Sequence, residues 1–166
     1  MLHKLFSKLD EIHPIDEASA HCDVPCGIYD PITAQIAALT VVRMVDLINE
    51  ADAAHKEKDV DYHNTITRAV HVKEEHAEKV KHEIRVIWGD YIKAAQLEKF
   101  PELHSLVHNI MLLGSKARQT VDRESAVKLV EEVNKFAEIF WQTKGIATKR
   151  AVAPYKPSLE LVYPVL

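Results

Sequence analysis

Two cysteines, Cys22 and Cys26, lie four positions apart in the segment HCDVPCGIYDP, residues 21–31, and the chain has no others. Thiolates favour soft or borderline metals, and His21 directly precedes the first cysteine. Structural zinc sites take four side-chain ligands, whereas the local side chains offer two sulfurs and one imidazole. The segment therefore indicates a metal site whose remaining donors come from elsewhere.

The backbone supplies those donors if the chain is cut after residue 20, where the residues at 18–20 are small. The new amine of His21 and the amide nitrogen of Cys22 close one five-membered chelate ring, and that nitrogen closes a second with the Cys22 sulfur. A turn at Pro25 returns Cys26 to complete a plane of two nitrogens and two sulfurs, and the His21 imidazole reaches an axial position. Such a plane suits Ni(II) or Cu(II). Residues 1–20 would block the site, because an uncut chain has an amide in place of the amine.

Helices must position this segment. The chain has 166 residues, 47% hydrophobic and 28% charged, with few glycines, which predicts one largely helical domain. Helix start signals precede residues 32 and 123, and apolar residues recur at helical spacing through four segments. The segments are predicted at 31–55, at 66–91, at 103–113 with Gly114 as the C-cap, and from Asp122 to Lys144.

The predicted fold class is all-α, an up-down four-helix bundle with an N-terminal metal-binding hook. The predicted divisions are a cleavable leader propeptide at 1–20, the hook at 21–30, the bundle at 31–145 and a C-terminal extension at 146–166. The extension is expected to be an extended tail, although Leu159, Leu161, Val162 and Tyr163 could lie on a neighbouring surface. The formal net charge of −4 with no basic face predicts no nucleic-acid partner. No apolar run approaches 20 residues and the leader lacks the apolar core of an export signal, so we expect no membrane partner and a cytoplasmic location.

The segment resembles the nickel hook of nickel-containing superoxide dismutases, whose pattern is His-Cys-x-x-Pro-Cys-Gly-x-Tyr. His21, Cys22, Pro25, Cys26, Gly27 and Tyr29 meet every fixed position. The resemblance continues in TRA at 67–69, WGDY at 88–91, FPELH at 100–104 and FWQTK at 140–144. It implies disproportionation of superoxide by Ni(II)/Ni(III) cycling, a four-helix bundle in a homohexamer, and a leader-processing protease.

Carried over by position, the resemblance assigns one nickel ion per subunit to His21, Cys22 and Cys26. It places Tyr29 over the open face of the site as a gate for small anions, helped by Asp23. Two departures concern the axial imidazole, because family members often have Glu where this chain has Ala37 and Arg where it has His76. His76 is a hypothetical replacement partner.

Two other functions were considered. A non-catalytic nickel carrier or sensor is the alternative; Gly27 and Tyr29 favour the enzyme, because a carrier needs no gate. A ferritin-like dinuclear centre is excluded, because no Glu is followed three residues later by His.

Several other histidine and lysine residues are of types that can bind metals or anions. His104 and His108 are expected to be solvated, as is the charged face of the second helix around Lys73. Lys93 is a weak candidate for attracting the anionic substrate.

Overall fold

The fold is a bundle of four long helices followed by a β-hairpin. The structure, a computed structural model, describes residues 26–166. The predictions for the leader at 1–20 and for His21, Cys22, Asp23 and Pro25 lie outside the described residues. The described elements are helices α1 (Ile32–Ala54), α2 (Val60–Val86), α3 (Ala94–Lys99), α4 (Leu103–Gln119) and α5 (Arg123–Thr143), a π-helical turn (Ile87–Tyr91), and strands β1 (Thr148–Val152) and β2 (Glu160–Pro164).

The four long helices pack as a closed ring in which α1 contacts α2 and α5, and α4 contacts α2 and α5. This confirms the all-α, up-down four-helix bundle. The core is formed by apolar residues of all four helices, including Val41, Ile84, Ile110 and Phe136. Among the apolar residues predicted to share one face of the second segment, Ala77, Val80, Ile84 and Ile87 are buried, whereas Ile36, predicted to be apolar and inward in the first segment, is 47% exposed.

Local capping sets two of the helix starts. The Asp30 carboxylate accepts a hydrogen bond from the Ile32 amide at 2.8 Å, so α1 begins just after Pro31 as the sequence predicts. The Asp122 carboxylate accepts from the Glu124 and Ser125 amides and caps α5. Its ion pair with Lys116, together with the bonds from Ser125, holds the pKa of Asp122 well below its usual range.

Gly114 does not end α4, so the predicted C-cap is wrong. The helix continues to Gln119, and Gly114 is buried within it. A Cβ at this position would lie 2.8 Å from Cγ of Lys81 on α2. The glycine therefore allows close approach between α2 and α4 instead of stopping the helix.

Lys73 is 1% exposed, which overturns the expectation that it lies on a solvated face. Its ammonium donates to the carbonyl oxygens of Ala117, Arg118 (2.9 Å) and Thr120 (2.8 Å) at the end of α4. Burial lowers the pKa of Lys73. The side chain thus satisfies carbonyls that a helix end leaves without partners.

The C-terminal extension is a β-hairpin, not the expected extended tail. Strands β1 and β2 pair antiparallel, with Thr148 opposite Pro164 and Val152 opposite Glu160. Leu161 and Val162 are buried against the bundle. The segment also contains three of the seven prolines, and these interrupt the strand pattern along the chain.

Two buried amide side chains fasten the hairpin to the bundle. Gln35 of α1 donates to the Val162 carbonyl at 3.1 Å and to the side-chain oxygen of Asn134 at 3.0 Å. Asn134 of α5 in turn donates to the Glu160 carbonyl at 2.8 Å. Without the hairpin, each of these two buried amides would lose a backbone carbonyl partner.

Helix α1 is long and apolar enough to cross a membrane by length and composition, although polar and charged residues such as Gln35, Arg43 and Asp46 interrupt its apolar residues. Half of its most apolar 18-residue stretch is buried inside the bundle, so its apolar side chains serve the protein core.

Candidate metal centre

Cys26 is the first described residue and lies six positions before α1 begins, and its side chain is exposed. Gly27 follows with a φ of 69°, a conformation that favours glycine. The exposed residues 26–28 are joined to the bundle through the helix start at Asp30. The cysteine is therefore presented to solvent a few residues from a fixed helix end.

Tyr29 is half-buried and links this segment to the bundle. Its ring centroid lies 5.6 Å from that of Tyr91, with the rings tilted by 44°. The Tyr91 hydroxyl lies 2.7 Å from the Thr143 hydroxyl. Because Thr143 donates its own proton to the Phe140 carbonyl, Tyr91 is the donor to Thr143. A defined chain of contacts thus runs from Tyr29 to the end of α5.

Lys144 sits on the same aromatic group. Its ammonium lies 4.8 Å from the ring centroid of Tyr91 and 5.2 Å from that of Phe140, both within cation–π range. The rings of Tyr91 and Phe140 are themselves 5.1 Å apart. A positive charge is therefore held two contacts away from Tyr29.

Trp88 and His104 join two further segments at this end of the bundle. The indole Nε1–H donates to Nδ1 of His104 at 3.2 Å, so His104 has a specific partner rather than only solvent. The segments WGDY, FPELH and FWQTK, separate in sequence, thus meet through side-chain contacts at the bundle end that carries the N-terminal segment.

The predicted site residues divide into two groups. Cys26 and Tyr29 are described and lie close in sequence at one bundle end, whereas His21, Cys22 and Asp23 are not described. Sequence reasoning gave no role to Tyr91, Thr143 or Lys144. Their only signal in the sequence was that they lie in the segments WGDY and FWQTK, which resemble the family.

The two departures noted in the sequence lie within the bundle. Ala37 is 2% exposed in the core. His76 is half-buried, and its Nδ1 lies 2.9 Å from the Val72 carbonyl of its own helix. One ring nitrogen of His76 is thus already engaged.

The sulfur of Cys26 and the donor atoms of the residues before it fit a nickel site. Within residues 26–166, no group of three or more His, Cys, Asp or Glu side chains is arranged to hold a metal ion. His21 and Cys22, which precede Cys26 in the sequence, offer the sulfur and nitrogen donors that Ni(II) accepts.

Fold and site define a four-helix-bundle protein that presents a thiolate donor on an N-terminal segment beside an aromatic cluster. A family model described as nickel-containing superoxide dismutase matches residues 16–144. The chain therefore belongs to the nickel-containing superoxide dismutase family. Superoxide dismutase activity, with nickel as the metal, follows from this membership, and the carrier alternative is not favoured.

Individual relatives agree with this assignment. The chain is 37% identical over 144 residues to the nickel superoxide dismutase of Streptomyces coelicolor, covering 87% of this chain and 98% of the relative. The corresponding protein of Streptomyces seoulensis is 39% identical with the same coverage. A native nickel superoxide dismutase structure superposes with a TM-score of 0.64 at 36% identity, covering 75% of this chain and 99% of that one.

Proposed function

We propose that this chain disproportionates superoxide at a nickel hook made by His21, Cys22 and Cys26 once residues 1–20 have been removed. The observation that carries the proposal is the exposed Cys26, placed three residues before a Tyr29 that packs on the bundle. The amine and imidazole of His21, the amide nitrogen and thiolate of Cys22 and the thiolate of Cys26 hold one nickel ion per subunit. Bound nickel supplies a one-electron Ni(II)/Ni(III) couple, by which two superoxide ions and two protons become dioxygen and hydrogen peroxide.

The protein's own residues shape access to this site. Tyr29 is held by its ring contact with Tyr91, and it limits the approach to small anions. Asp23 helps to line the approach. Because Gly27 carries a positive φ, the chain can turn between Cys26 and Tyr29 without strain.

His76 is the proposed partner of the His21 imidazole that would help to hold nickel, in place of the acidic and basic pair common in the family. Its Nδ1 is engaged by the Val72 carbonyl, which fixes the ring and leaves its other nitrogen for a partner. His76→Ala should then alter the Ni(III) spectrum. An unchanged spectrum removes this role.

The remaining proposals concern processing and assembly. The proposed divisions of the chain are a leader at 1–20, a hook at 21–30, a bundle at 31–145 and an extension at 146–166. We also propose a leader-processing protease, a homohexamer and a cytoplasmic location. Their support is the family resemblance and the leader's lack of an export signal.

The deciding experiment compares three forms of the protein: residues 1–166, residues 21–166 with a free His21 amine, and residues 20–166. The third form retains both cysteines but moves the terminal amine by one residue. We expect stoichiometric nickel, an axial-nitrogen Ni(III) electron paramagnetic resonance signal and activity only in the second form.

The outcomes separate the alternatives. Equal nickel binding and activity in the form that begins at residue 20 contradicts a ligand role for the His21 amine. Nickel bound by the trimmed form without superoxide turnover leaves a carrier or sensor. Cys26→Ser in the trimmed form should abolish the Ni(III) signal while leaving the helical content unchanged.

A further inference from the structure

An apolar groove of about 510 Å³ lies between α1 and α2, away from the candidate metal centre. Met44, Leu47 and Ala51 form its α1 wall, and Ala69 and Val72 form its α2 wall. Met44, Leu47 and Val72 are only half-buried, so apolar side chains remain accessible there. A groove between two helices of this kind accepts the apolar face of a third helix.

Residues 1–13 carry a matching sequence pattern. Leu2, Leu5, Phe6, Leu9 and Ile12 recur at the spacing that places them on one face of a helix. Pro14 ends the pattern. We propose that this face of the leader docks in the α1–α2 groove of the unprocessed chain.

The charges beside the pattern agree with those beside the groove. On a helical wheel Lys8 flanks one side of the apolar stripe and Asp10 flanks the other. The groove offers Glu50 from α1 and Arg68 from α2 on its opposite walls. One orientation of the leader therefore places Lys8 towards Glu50 and Asp10 towards Arg68.

The connecting chain is long enough. Helix α1 rises about 22 Å from Ile32 to Leu47, at about 1.5 Å per residue. The segment from residue 13 to Cys26 spans up to about 43 Å when extended, at about 3.3 Å per residue. The leader can therefore reach the groove while Cys26 stays at the other end of α1.

This inference rests on the proposed function in one respect, namely that residues 1–20 are a leader removed during maturation. It gives the leader a docked position on the folded bundle, beyond its effect on the terminal amine. Removal of residues 1–20 would then expose an apolar surface on the mature chain.

The test uses the full 166-residue chain without nickel. The ¹³C-methyl NMR signals of Met44, Leu47 and Val72 are compared in the native chain, in Leu9→Asp and in Ser7→Asp. Leu9 lies in the apolar stripe and Ser7 lies on the opposite side of the wheel. Leu9→Asp should shift these signals, and Ser7→Asp should leave them in place.

Trypsin cleavage after Lys4 gives a second reading on the same chains, because neither substitution lies next to that bond. Docking slows this cleavage, so Leu9→Asp should accelerate it by about tenfold, the factor expected for a contact worth about 1.4 kcal/mol. Ser7→Asp should change it less than about twofold.

Charge reversal tests the orientation. Arg68→Glu and Asp10→Lys should each accelerate cleavage after Lys4, and the two together should restore its native rate. Asp10→Lys adds a trypsin site after residue 10, and cleavage there is scored separately. Lys79→Glu, on an exposed part of α2, is the matched control. Independent effects of the two reversals contradict the proposed pairing.

Two results overturn the inference. Methyl signals whose positions do not change in Leu9→Asp mean that the leader does not occupy the groove. Signals that instead move with protein concentration mean that a second copy of the chain covers it. Neither measurement depends on nickel, so a failure of the metal site would leave both readings unchanged.

Discussion

Tyr29 packs its ring 5.6 Å from the ring of Tyr91, and this contact joins the N-terminal segment to the end of the bundle. Tyr91 in turn donates a hydrogen bond to Thr143 at 2.7 Å. The proposed gate is therefore held by a residue that follows α2 and by one at the end of α5.

Tyr91→Leu should lower superoxide turnover about tenfold, because misplacement of a positioned group by about 1 Å is costly. Thr143→Val removes the hydrogen bond from Tyr91 and the one to the Phe140 carbonyl, and it should cost about 1–2 kcal/mol of stability. It should change turnover by less than about threefold, since the ring contact remains. Pulse radiolysis and thermal unfolding measure the two effects. Equal turnover in Tyr91→Leu and the native protein contradicts a positioning role for Tyr91.

Lys144 should raise the encounter rate with superoxide, because it carries positive charge beside Tyr91 in a chain of net charge −4. Lys144→Gln should reduce the rate constant at low ionic strength by about threefold and flatten its salt dependence. Lys144→Arg keeps the charge and the cation–π contact and should retain most of the rate.

Lys128→Gln is the matched control for Lys144, since Lys128 is exposed near the beginning of α5, at the other end of that helix. Both substitutions change the net charge equally. If both reduce the rate to the same extent, the effect comes from overall charge and not from the position of Lys144.

Lys73→Met should destabilise the fold by about 2–4 kcal/mol, because carbonyls at the end of α4 lose a charged donor in a buried place. Lys79→Met, on the exposed face of the same helix, should stay within about 0.5 kcal/mol of the native protein. Urea unfolding of the two variants makes the comparison. Similar small losses in both would mean that water replaces the Lys73 contacts.

Removal of the hairpin by ending the chain at residue 146 should cost about 3–5 kcal/mol, because it exposes apolar surface and strips Gln35 and Asn134 of their backbone partners. Removal of Leu166 alone is the control, since this residue is 99% exposed. Differential scanning calorimetry measures both. An unchanged unfolding temperature in the shorter chain would mean that the hairpin adds no stability.

Asp122 should make stability fall at acid pH. Its folded pKa is lowered by Lys116 and Ser125, so below about pH 3.9 the unfolded chain binds more protons. Its contribution is therefore present above that pH and lost as pH falls through the folded value. Asp122→Asn should flatten the acid limb of the unfolding-temperature profile, whereas Glu57→Gln in the exposed α1–α2 loop should leave it unchanged.

Much of the fold was predictable because its signals are local. Asp30 and Asp122 mark helix starts through hydrogen bonds to amides two or three residues away. Helix periodicity predicted α1 and α5 almost to their ends. The short α3 was missed, since six residues give too little periodicity to distinguish a helix from a loop.

The residues by themselves carried the proposal of a metal-binding N-terminal segment, because the donor types and their spacing decide which chelate rings can close. Tertiary structure alone decided the roles of residues elsewhere in the chain. Lys73 is a buried cap of α4, and Gly114 is a packing contact between α2 and α4. Residues 148–164 form a hairpin that is held by Gln35 and Asn134. The aromatic support of Tyr29 by Tyr91 and Lys144 was decided in the same way. Each depends on partners tens of residues away in the chain, and local sequence carries no record of which distant groups folding brings into contact.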